Sequence, residues 1–197
     1  SLSIILCVFF QSHFSQTYSD TNLIKTHLTV ITKREKPRHF ENPKVLDSVA
    51  AYIFMELQKS ADSVYYQTYK INGTVYRNVI ASYGIKNQKR IIVGAHYDVC
   101  GNQEGADDNA SGTVGLLELG RMLKGQQLQN RIDLVAYTLE EPPFFRTEYM
   151  GSAIHAKSIE SIKDQIIGMI SLEMIAYFKD EKKSQDYPIG ILKWFYG

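Results

Sequence analysis

The chain has 197 residues, 44% hydrophobic and 22% charged, the balance of an ordinary folded domain and not of a disordered, collagenous or fibrous protein. Its formal charge of +1 offers no basic surplus for nucleic acid and no acidic surplus for a solvating tail, and two cysteines exclude a disulfide scaffold and a four-cysteine zinc module. The charge is unevenly placed, however: residues 96–141 carry three Lys or Arg against eight Asp or Glu.

Residues 1–19 hold no Asp, Glu, Lys or Arg, and the apolar run from Leu2 to Phe10 has the length of a secretory-signal core while being too short to span a bilayer. Residues 1–19 are therefore expected to be a signal-peptide remnant of a secreted or periplasmic protein, and residues 20–197 a single domain. From Asp20 to Lys33 the residues Leu23, Ile24, Leu28 and Ile31 recur at helical spacing behind a capping Asp20 or Thr21. Lys33 to Arg38 is a charged break, expected to be a solvated loop. Pro43 opens a second amphipathic helix, with Val45, Leu46, Val49, Ile53 and Leu57 on one face. Two strands, 64–69 and 75–80, flank Asn72-Gly73, a strong hairpin signal. Strands are then expected at 91–95, 132–137 and 166–170, and helices at 114–123 and 151–158. The apolar end, residues 191–197, has the pattern of a domain that continues. The order predicts an α/β domain with a mixed, mostly parallel central sheet and helices on both faces, incomplete at its C-terminus.

In open α/β sheets ligands collect beyond the carboxyl ends of the strands, and here those ends are acidic. His96 and Asp98 follow one strand, and their two-residue spacing on extended chain points both side chains to one face. Asp98 could then accept the spare N–H of a metal-bound His96. Asp107 and Asp108 stand before the next helix, where capping accounts for one acid and not two. Glu140 and Glu141 end the 132–138 strand and precede Pro142-Pro143, which stiffens the loop, and Glu173 follows the last strand. Together these acids would repel one another unless a cation is present. One imidazole with several carboxylates suits zinc, manganese or iron better than calcium, and Cys100 fits no zinc-ligand spacing.

The block from Gly94 to Asp98, the Gly105–Gly112 segment, Glu140-Glu141 and the Leu172–Ile175 stretch resemble the co-catalytic dizinc aminopeptidase family, whose relatives include glutamate carboxypeptidases and glutaminyl cyclases. The resemblance covers about Asn78 to Phe178. It implies a zinc exopeptidase-like fold and two zinc ions in the complete protein, with His96 on one, Asp108 bridging and Glu141 on the other. Glu140 would be the general base and Asp98 an outer partner of His96, and a peptide the substrate. Glu173 stands where the family carries an aspartate ligand. The family's last histidine ligand comes from a segment beyond this chain, and neither His155 nor His13, His27 or His39 is an obvious substitute. The implied activity is that of an aminopeptidase. A carboxypeptidase, a single-zinc glutaminyl cyclase and a non-catalytic binding ectodomain are the alternatives, and nothing bears on the oligomeric state. The loop residues Phe144, Phe145, Tyr149 and Met150 are expected either in the core or around a specificity pocket.

Overall fold

The computed structural model describes residues 18–179 and 181; the apolar run 2–10, His13 and the apolar end at 191–197 lie outside them. Helix α1 (Thr21–Thr32) starts where Asp20 accepts the N–H groups of Asn22 and Leu23, a side-chain cap for two otherwise unpaired donors. Helix α2 (Pro43–Gln58) begins at the proline and buries Leu46, Val49, Ala50, Ile53 and Leu57. Strands β1 (Ser63–Ile71) and β2 (Thr74–Tyr83) form the hairpin, with Asn72 and Gly73 both at positive φ, as a two-residue turn of the right twist requires. Strand β3 (Arg90–His96), a π turn at Ala106–Ser111, helix α3 (Gly112–Leu123) and strand β4 (Arg131–Tyr137) follow. Helix α4 (Gly151–Ser158), a 3-10 turn at Glu160–Gln165 and strand β5 (Ile166–Ser171) complete the described elements.

The five strands form one sheet in the order β1-β2-β4-β3-β5. Alternation along each strand divides its side chains between two faces. Val79, Ala81, Val93, Ala95, Leu134 and Ala136 pack with Ile31, Val49, Ile53, Leu57, Leu116 and Leu117 of α1, α2 and α3. On the opposite face Ile80, Ile92, Val135 and Tyr137 meet Ile159 and Ile166 around α4 and the 3-10 turn. Helices thus cover both faces of a mixed sheet. Its parallel share is half and not most of the pairings: β3 pairs parallel with β4 and β5, but the hairpin docks antiparallel, through β2, onto β4. The parallel half matters for function because it brings the carboxyl ends of β3, β4 and β5 to one edge of the fold.

The charged break after α1 departs from expectation at one residue. Arg38 is 1% exposed, and its guanidinium donates to the carbonyls of Ile31, Tyr97, Glu104 and Gly105. A solvated loop has no such ring of acceptors; here the 97–105 segment folds over the guanidinium and replaces its water. Burial lowers its pKa to about 10, against the pull of Asp98 and Asp108, so the group remains a cation at neutral pH.

Candidate metal centre

His96 ends β3 with its side chain 8% exposed, and its backbone carbonyl accepts the Thr113 hydroxyl of α3 at 2.8 Å. Nδ1 lies 3.2 Å from the Asp98 carbonyl and 3.5 Å from Asp98 Oδ1. In the neutral tautomer with Nδ1 as donor, Nε2 keeps the lone pair that a metal would take, and it faces Asp108 Oδ1 at 3.3 Å, Glu173 Oε1 at 3.5 Å and Glu141 Oε1 at 3.9 Å. The structure therefore brings His96, Asp108, Glu141 and Glu173 together. Ligand atoms of His96, Asp108 and Glu173 all lie within 4.8 Å of one another.

Asp98 does more than the spacing argument assigned to it. Its two oxygens accept the backbone N–H groups of Glu140 and Glu141 at 3.2 and 3.1 Å, which ties the end of β4 to the end of β3. The hydrogen bond from His96 goes to the Asp98 carbonyl, with the carboxylate behind it as a charge. Glu140 is held by α4: one of its oxygens accepts the Ser152 N–H and the other the Ser152 hydroxyl, both at 2.7 Å. Burial raises the Glu140 carboxyl above the usual range, partly offset by those two bonds. Burial and the neighbouring Asp108 raise Glu141 likewise.

Two observations bear on whether a cation fits. Asp108 Oδ1 is buried and accepts no hydrogen bond, although a carboxylate oxygen ordinarily takes one or two. Burial pushes His96 down, but Asp98 and Glu173 outweigh it and raise its pKa to about 11, so without a metal the imidazole itself serves as the cation of the cluster. One nitrogen donor with three carboxylates suits zinc or a neighbouring transition metal.

Several residues that sequence spacing did not single out hold this arrangement. Asn109, fully buried, donates to Glu173 Oε2 and the Leu172 carbonyl and accepts the N–H groups of Gly112 and Met174. It thereby fastens the β5 end to the start of α3. Asp107 and Ser111 accept the N–H groups of Ala176 and Ile175. Apart from the Gly112 N–H, three residues on, the partners are more than 60 residues apart, and no local pattern announces those contacts. The Asp108–Asn109 and Pro142–Pro143 peptide bonds are cis. The other described histidines lie elsewhere: His155 is buried against the Tyr137 hydroxyl, His27 pairs with Tyr52, and His39 with Glu41.

The candidate ligands line a cleft of about 610 Å³ together with Glu140, Tyr137, Phe145, Met150 and Met169. The 144–150 loop is thus divided. Phe144 packs edge-on to Phe40 and joins the core, while Phe145 and Met150 line the cleft.

Residues 78–190 match the profile of peptidase family M28. The uncharacterized protein YfbL of Escherichia coli (strain K12) is 42% identical over 174 residues, which are 84% of this chain and 53% of that protein. A protein named "Probable leucine aminopeptidase" from Trichophyton verrucosum (strain HKI 0517) is 32% identical over 123 residues, 56% of this chain and 32% of its own. Among solved structures, Porphyromonas gingivalis glutaminyl cyclase superposes with a TM-score of 0.66 at 26% identity, over 80% of this chain and 60% of that one. The chain spans about half the length of YfbL, and less of the fungal protein.

Proposed function

The chain belongs to peptidase family M28, and from that premise we propose that its acidic cleft is the zinc centre of an aminopeptidase. The observation that carries the reading is His96 Nε2 facing three carboxylates, one of whose oxygens is buried without a hydrogen bond, beside a glutamate held separately from them. In this reading His96, Asp108 and Glu173 would hold one zinc, and Asp108 would also serve a second with Glu141. Zinc supplies Lewis acidity toward the scissile carbonyl and acidifies water at the site. Glu140 takes the proton of the attacking water and delivers it to the leaving amine. Its two bonds to Ser152 fix where the carboxylate stands, and burial brings its pKa closer to the working pH of a general base.

The apolar wall of Phe145, Met150 and Met169 supports a preference for substrates with an apolar N-terminal side chain. The name of the fungal relative agrees with that preference. The charge-free run from Leu2 to Phe10 supports export from the cytoplasm, which N-terminal sequencing of the mature protein would test.

The activity test is hydrolysis of aminoacyl amides by the full-length protein, with zinc removed and restored. Zinc-dependent release of leucine or phenylalanine is expected. Release of ammonia from an N-terminal glutamine, without peptide cleavage, would replace the aminopeptidase with a cyclase. Zinc binding without either reaction would favour a binding domain.

A further inference from the structure

Arg38 comes from the segment between α1 and α2, outside the residues that match the family profile, and it does not reach the cleft. It is nonetheless among the most deeply buried large side chains described. Nε donates to Tyr97 O at 2.7 Å, Nη1 to Glu104 O at 2.7 Å and Ile31 O at 3.2 Å, and Nη2 to Gly105 O at 2.9 Å. The Arg38 carbonyl in turn accepts the Val99 N–H at 3.0 Å. Tyr97 lies between His96 and Asp98, and Gly105 opens the turn that carries Asp108. The Ile31 carbonyl belongs to the last turn of α1, an end of a helix that favours a cation.

We propose that Arg38 is a positioning residue of the metal centre, its guanidinium fastening the His96–Asp98 loop and the Gly105–Asp108 loop to each other and to α1.

The energetics support a geometric role. All four acceptors are carbonyls, so a full charge is buried with no carboxylate in direct contact. Such burial is costly, and an apolar side chain of similar volume would avoid the cost. What an apolar residue lacks is a rigid fork that satisfies four diverging carbonyls at once, and the compact ammonium of lysine lacks it too. The loop is shaped to the fork. Gly105 has φ +58°, and a Cβ there would run into Val99 Cγ1 and the Asp108 carbonyl and come within 3.0 Å of Arg38 Nη2. The positive charge also lies where it attracts Asp98 and Asp108. A small displacement of either loop would move His96 relative to Asp108, and ligand atoms must sit close to their ideal places for a metal to be held well.

The proposal rests on the zinc reading above, and the test separates the two. Arg38→Met and Arg38→Lys are compared in the full-length protein with Leu57→Ala, a core truncation in α2 that lowers stability but touches no loop of the site. Zinc affinity is measured by chelator competition, well below the melting temperature of the weakest variant, together with kcat and KM at saturating zinc. Both Arg38 variants should bind zinc about 10- to 100-fold more weakly, the range for outer partners of a metal site, and lose kcat with KM little changed. Leu57→Ala should keep the wild-type zinc affinity. Wild-type zinc affinity in a folded Arg38→Met would overturn the proposal while leaving the zinc reading intact. Loss of fold in both Arg38 variants that saturating zinc does not reverse would also overturn it, by making Arg38 a residue of general stability. A wild-type protein that binds no zinc overturns both readings.

Discussion

Asp98→Asn removes one charge from a side chain 3% exposed and keeps its volume. Natively the two carboxylate oxygens take one N–H each, from Glu140 and Glu141, and Oδ1 stands 3.5 Å from His96 Nδ1. An amide has one acceptor oxygen for those two donors and turns its NH₂ toward the other. One buried N–H is thereby orphaned, at about 1–3 kcal/mol. The folded domain should tolerate that loss, since it is confined to the segments that follow the carboxyl ends of β3 and β4. The zinc site should not, because the same change releases half of the tether on Glu140-Glu141 and removes the anion behind His96. Zinc affinity is expected to fall about 10- to 100-fold, equivalent to about 1.4–2.8 kcal/mol. Chelator competition reads the affinity, and urea unfolding of zinc-free protein reads the stability. A variant that unfolds as the wild type does and also binds zinc as the wild type does would show that neither the tether nor the charge supports the site.

Glu140→Gln should retain most bound zinc and lower turnover by about 100-fold or more, the scale of general-base catalysis; joint loss of zinc and activity would make Glu140 a ligand. Glu141→Gln should do the reverse and release metal, as dialysis followed by metal analysis would show. Gly151→Ala should cost about 1–3 kcal/mol in urea unfolding, because the new methyl group would run into Asn78 Oδ1 and come within 2.6 Å of the Thr138 carbonyl. It should also slow turnover by shifting Ser152 away from Glu140, and an unchanged unfolding curve would mean that α4 moves freely at its start. Burial lowers the pKa of His27 below 6.5, so the unfolded chain takes up the proton first and stability falls as pH drops through about 6.5. His27→Gln should flatten that fall between about pH 7.5 and 5.5, and equal slopes for variant and wild type would count against a neutral, buried His27.

What could be read from sequence follows the range of each interaction. Helix α2 was legible because Leu46, Val49, Ile53 and Leu57 share a 3.6-residue period, although Ala50 is buried where Val45 was expected, and the hairpin because Asn72-Gly73 satisfies a purely local backbone requirement. The acidic strand ends were legible because a parallel sheet brings its carboxyl ends together, which is how His96, Asp108, Glu141 and Glu173 come to face one another. Arg38 was hidden because one basic residue among several in a charged run reads as solvated, and its acceptors lie up to 67 residues away. Asn109 was hidden for the same reason, with Glu173 64 residues distant. Ser152 lies only 12 residues from Glu140, but the intervening loop and the start of α4 decide that they meet. The hairpin's antiparallel docking onto β4 is likewise a tertiary choice that strand periodicity does not encode.

The central claim of the proposed function is that His96, Asp108 and Glu173 would hold one zinc and Asp108 with Glu141 a second, with Glu140 apart from them. An anomalous-difference map at the zinc edge, from zinc-soaked crystals of the full-length protein, tests it directly. The expected result is a peak about 2.0–2.2 Å from His96 Nε2 and from oxygens of Asp108 and Glu173, with Glu140 still on Ser152. A zinc peak ligated by Glu140, or no peak at His96 at saturating zinc, would contradict the account.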